Sequence, residues 1–185
     1  WMVGAGAVVV VAAVTGSWSM WTTARAERCA GAEDHLAGSW DQERRSALRS
    51  SMLSVDAEYA EIAWSHADRT LQRYASTWVV IHTEACEATT IREEQSTEAM
   101  DLRMACLHRS RQELEAAITV ITSGEANVVR RSHRVVAALP PLSRCADLEA
   151  LGAEVEPPIG DDVPRVERAS ALVALAAAER RAGRY

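Results

Sequence analysis

Apolar and polar residues recur along most of this chain with the spacing of helices, and the first segment is the exception. Residues 1–24 contain no charge, and Val8-Val9-Val10-Val11-Ala12-Ala13-Val14 is continuously apolar. About 20 such residues in a helix cross a ~30 Å hydrocarbon layer. Trp1 stands at one end and Trp18 and Trp21 at the other, where interfacial aromatics belong. Arg25, Glu27 and Arg28 then mark the return to water. A cleaved signal peptide would open on basic residues and close on small ones. This segment opens on none and closes on a Trp-rich stretch, so the pattern predicts a single transmembrane helix over residues 1–24. The chain opens on Trp rather than Met, so the expectation is that an upstream part is missing.

Beyond the short stretch at Cys29-Ala30-Gly31, the pattern reads as helices with polar breaks. Asp41 is placed to cap a helix to about Leu53, and Asp56 to cap a long one to about Thr90. In the long helix Ala57, Trp64, Leu71, Trp78 and Ala85 are seven apart. Ala60, Ala67, Tyr74, Ile81 and Ala88 fill the companion positions, so all ten are apolar. The polar stretch Ile91-Arg92-Glu93-Glu94-Gln95-Ser96 breaks this seam, and Ser96 can cap a third helix to about Thr122. Met100, Leu107, Leu114 and Ile121, with Met104 and Ile118, form its apolar face, which Arg111 interrupts. Two long helices on a short polar link predict an antiparallel hairpin.

The alternative is a homodimer that pairs two copies of the long helix as a coiled coil. Its flanking positions include Glu61, Asp68 and Glu84 and no Arg to answer them, which favours packing within one chain. A fourth helix fits Glu125 to Leu139, stopped by Pro140-Pro141, and a short helical turn fits Cys145 to Leu151. Residues 152–162, with Pro157-Pro158 and Gly160, read as a linker. A last helix from about Pro164 to Ala182 carries Pro in its first turn and Gly183 past its end. Its stretch Ser170 to Ala178 is almost wholly Ala, Leu and Val and needs partners, so a continuation beyond Tyr185 is also expected.

Composition narrows the chemistry. Phe is absent, aromatics are 5%, and 34 residues are Ala, a balance that favours helix over strand. All 20 basic residues are Arg. A P-loop, a Schiff-base enzyme and a kinase core each need Lys, so this chain does not supply them. The net charge of −6 argues against a nucleic-acid partner. No G-x-S-x-G, H-E-x-x-H or G-x-G-x-x-G motif occurs, and no catalytic residue and no cofactor is assigned. Glu93-Glu94 and Asp161-Asp162 read as a solvated loop and a helix start, and Arg130-Arg131 with Arg134 as a solvated basic face.

Cys29, Cys86, Cys106 and Cys145 are disulfide candidates. Four thiols allow three pairings, and sequence alone selects none. Cys86 and Cys106 flank the hairpin link, so one arrangement joins them and ties Cys29 to Cys145. A zinc site from His82, Cys86, Cys106 and His108 is the alternative, but without a C-x-x-C pair no metal site is assigned.

Further motifs are Cys29-Ala30-Gly31, Glu84-Ala85-Cys86-Glu87-Ala88-Thr89, Glu94-Gln95-Ser96, Asp101-Leu102-Arg103-Met104-Ala105-Cys106-Leu107, Leu139-Pro140-Pro141-Leu142 and Cys145-Ala146-Asp147. On these the chain resembles a segment of bacterial transmembrane serine/threonine protein kinases that carry tetratricopeptide repeats. Glu93 departs from that pattern, where Gly is expected. Ala182-Gly183-Arg184-Tyr185 is similar to the turn between the two helices of a repeat, with Glu179 where an aromatic is usual.

The resemblance implies an all-α chain with four parts. Residues 1–24 would be the transmembrane helix and 25–151 an extracytoplasmic Cys-containing helical bundle. Residues 152–162 would be a linker, and 163–185 the first helix of a truncated repeat. It implies a single-pass protein of the bacterial inner membrane, anchored in lipid through residues 1–24, with a protein as its other partner. The expected function is a non-catalytic sensor or scaffold segment, with the kinase domain outside the chain. The alternative is a stand-alone membrane-anchored helical binding protein.

Overall fold

A computed structural model of the chain describes residues 27–153 and 158–184. Among the described residues every regular element is a helix. A 3-10 turn at Ala32–Leu36 precedes α1 (Gln42–Leu53), α2 (Ala60–Thr90), α3 (Thr97–Ile121) and α4 (Ala126–Ala137). A second 3-10 turn (Leu142–Ala146), α5 (Leu148–Gly152), a third turn (Gly160–Asp162) and α6 (Val163–Ala182) follow.

Local chemistry sets the boundaries. Asp41 caps α1 by accepting from the Arg44 amide at 2.8 Å, Ser96 caps α3 through the Ala99 amide, and Asp147 caps α5 through that of Ala150. Each accepts a hydrogen bond from an amide that has no partner inside its helix. Asp56 does not cap α2. Residues 57–60 form a turn instead, with the Ala60 amide on the Ala57 carbonyl, and the Tyr59 hydroxyl donates to the Ala126 carbonyl across to α4. The helix therefore starts at Ala60. At the other end of the chain Gly183, at φ 82°, closes α6 in the left-handed conformation.

The α2 seam forms the centre of the bundle. Seven of its ten positions are buried, among them Trp64, Leu71 and Trp78, while Ala57, Tyr74 and Ile81 are half-buried. It packs within the chain against α1, α3, α4 and the first two 3-10 turns. α2 and α3 run antiparallel. Glu84 meets Arg103 near the link, and the Trp78 indole donates to the Leu107 carbonyl at 2.8 Å further along. The expected α3 face is buried at Leu107, Leu114, Ile118 and Ile121, with Met100 and Met104 half-buried, but the buried face is wider than the pattern marks: Arg103, Ser110 and Ala117, seven apart, are buried as well. α3 touches α2, α4 and α6, so helices on several sides choose its inner positions.

Two expectations are corrected. No helix among the described residues is long and apolar enough to cross a membrane. The two longest carry charges throughout: Asp68, Arg69, Arg73, Glu84 and Glu87 along α2, and Arg109, Arg111 and Glu113 in the middle of α3. The expected span at residues 1–24 lies outside the described residues, and the single-pass arrangement and inner-membrane location that rested on it are not carried further. The second correction concerns α6, expected as an open half-repeat. It packs along α3 and α4, burying Ala174, Ala178 and Ala182, and so is a member of the bundle.

Candidate functional site

Two disulfides brace the fold: Cys29 with Cys86 (Cα–Cα 5.6 Å) and Cys106 with Cys145 (Cα–Cα 5.5 Å). The arrangement that joins Cys86 to Cys106 does not form. Cys86 lies four residues before the end of α2 and Cys106 nine after the start of α3. At about 1.5 Å rise per residue the two stand at different heights along the hairpin. The bridges instead fasten what wraps it: the N-terminal strap, residues 29–40, to α2, and the turn after α4 to α3. No sulfur is left as a thiolate, so the four-ligand zinc arrangement with His82 and His108 is excluded.

Under the strap lies a cavity of about 480 Å³ lined by Asp34, His35, Trp78, His82, His108 and Arg111. His82 is stacked on Trp78, one turn before it, with centroids 4.9 Å apart. On its other side the His35 ring sits at 4.8 Å. Arg111, which breaks the apolar pattern of α3, reaches up to donate to the His35 carbonyl. Burial, and then the neighbouring His35, push the His82 imidazole below its ordinary range. Its Nδ1 is buried with no hydrogen-bond partner. The lining residues include no hydroxyl or thiol. The imidazoles, the Asp34 carboxylate and the Arg111 guanidinium supply its polar groups.

A second cavity of about 310 Å³ lies between α3 and α6. Met104, Ala105, Pro158, Val163 and Val166 supply its apolar wall. At its rim His108 Nε2 stands 3.5 Å from a Glu167 carboxylate oxygen, and the Gln112 amide donates to the Glu167 carbonyl. His108 lines both cavities. Beside this cleft α6 turns a second apolar face outward, opposite the buried Ala174 and Ala178. Leu172 and Val173 there are 68% and 70% exposed, and Val166, at the edge of the cleft, is 44% exposed.

The remaining residues singled out in the sequence have structural roles. Arg131 leans over Gly183 and donates to the Ala182 carbonyl, meeting the negative end of α6. Glu94 pairs with Arg92, and Asp162 with Arg165. Sequence reasoning missed Arg103, which is 5% exposed. An Arg in the third helix at a seven-residue spacing from Ser110 gave no sign that both would face inward. No known protein family matches the chain, and neither a curated protein nor a solved structure is found to be similar to it.

Proposed function

We propose that the chain is a non-catalytic helical scaffold that binds a protein partner along the outer face of α6. The observation that carries this reading is the exposed pair Leu172 and Val173 on α6, with the half-open Val166 at the edge of the α3–α6 cleft. Large apolar side chains left exposed beside a cleft mark interaction sites. The cleft offers a pocket for one anchoring side chain, and the exposed pair beside it suits the apolar face of an amphipathic helix. The two disulfides support the reading, because a surface held rigid in advance loses less entropy on binding. The resemblance to a segment of receptor-like serine/threonine kinases supports a signalling context, with the catalytic domain on another part of a longer polypeptide.

The test is site-directed photo-crosslinking in the source cells. A photoreactive residue at Val173 should give an adduct with one protein species. The adduct should disappear when Val166 and Leu172 are changed to Asp, and it should be absent with the probe at the exposed Arg49. Equal labelling from positions 173 and 49, or none from either, would refute the binding face.

A further inference from the structure

We propose that the Cys29–Cys86 bridge is a reducible clasp on the N-terminal strap, and that the Cys106–Cys145 bridge keeps the bundle closed. The two bridges differ in access. Cys106 is 2% exposed and Cys145 fully buried. Cys145 lies under Arg103, which donates to its carbonyl, and its sulfur meets Ser110 inside the core. In the other bridge Cys29 is also buried, at 4% exposed, but Cys86, near the C-terminal end of α2, is only half-buried, so one sulfur of this bridge lies nearer solvent. The Cys86 sulfur has an exposed contact with the Arg28 carbonyl. Thiol–disulfide exchange needs a thiolate to reach one sulfur of the bridge, so access sets which bridge reacts.

The reductant is a dithiol. One of its thiolates attacks Cys86 Sγ, the bond to Cys29 breaks, and a mixed disulfide forms. Cys29 leaves as a thiolate and takes up a proton from water; its sulfur lies 3.0 Å from the Thr90 hydroxyl. The second thiol of the reductant, deprotonated, then attacks its own sulfur partner in the mixed disulfide and frees Cys86, which is protonated in turn. The reductant ends as a disulfide, and the two cysteines have gained two electrons and two protons.

The clasp controls the cavity under the strap. Between Cys29 and α1 the strap is held by the buried side chains of Ala32 and Leu36, by the Trp40 indole on Gln72, and by Arg111 on the His35 carbonyl. His35 is a wall of the cavity, and its ring lies tilted against that of His82. With the bridge open, the strap's N-terminal end has no covalent tie to α2, and its lifting uncovers Trp78 and His82. Redox state is thereby linked to access to the imidazoles.

Graded dithiothreitol treatment of the native protein, followed by alkylation and mass spectrometry, tests the order of reduction. Cys29 and Cys86 should be alkylated at least tenfold faster than Cys106 and Cys145. Amide hydrogen exchange should accelerate about tenfold over residues 30–40 and stay unchanged over 106–118. The C29S/C86S double variant, with Cys106–Cys145 intact, should show that exchange pattern without reductant. Equal alkylation of all four cysteines, or unchanged strap exchange once Cys29–Cys86 alone is reduced, would overturn the proposal.

Discussion

Arg103 donates from Nε to the main-chain carbonyl of Cys145 at 3.3 Å, so a buried cation of α3 holds the backbone of the residue that closes the second disulfide. The same guanidinium binds Gln95 in the link and the Glu84 carboxylate on α2. Replacing Arg103 with Met keeps bulk but leaves the carbonyl of Cys145 and the Gln95 side chain without their donor. Each buried unsatisfied group costs about 1–3 kcal/mol. Urea denaturation of R103M should show a loss of at least that size, with R103K between it and the parent.

Two positions in left-handed backbone should respond in opposite directions. Glu93, at φ 55°, occupies a conformation that suits Gly, in the link where the resemblance expects Gly. The left-handed form costs an ordinary residue roughly 1–2 kcal/mol, and Gly loses part of that gain as chain entropy. E93G should therefore raise the midpoint of unfolding slightly. Gly124, at φ 68°, is already Gly, and a Cβ there would meet the Ser51 hydroxyl oxygen at 2.6 Å. That hydroxyl is held by its bond to the Thr122 carbonyl, so G124A should lower stability by about 1–3 kcal/mol.

His82 makes stability fall in mild acid. Its folded pKa is lowered, so the unfolded chain binds the proton more readily. The contribution is complete above the unfolded value of about 6.5 and is lost as pH falls below it towards the folded value. The charged and titratable groups facing the ring are Asp34 and His35 from the strap and His108 and Arg111 from α3. Melting temperature should drop between pH 7.5 and 5, and H82Q should flatten part of that slope. An identical slope in H82Q would refute the assignment.

The two faces of α6 should tolerate substitution differently. Ala178 is 2% exposed against α3 and α4, and A178L should overpack that contact at a cost of about 1–3 kcal/mol. L172K and V173K point outward and should leave stability within about 0.5 kcal/mol. Thermal denaturation of the three variants separates the packed face from the open one.

Much of the helical layout was legible in the residues. Short-range chemistry determined it: Asp41 and Ser96 as caps, Gly183 and Pro140-Pro141 as stops, and the heptads of α2, all acting within a few residues of chain. The class of fold follows from these signals, because capping and periodicity need no distant partner. What only the tertiary structure decided is whatever depends on helices meeting. The disulfide pairing turns on heights along the hairpin, the burial of Arg103 on acceptors from three separate segments, and the role of α6 on a face of α3 that its own sequence does not mark. The His35–His82–Trp78 cluster belongs to the same group, since it exists only where the strap crosses α2, 47 positions away along the chain between the two imidazoles.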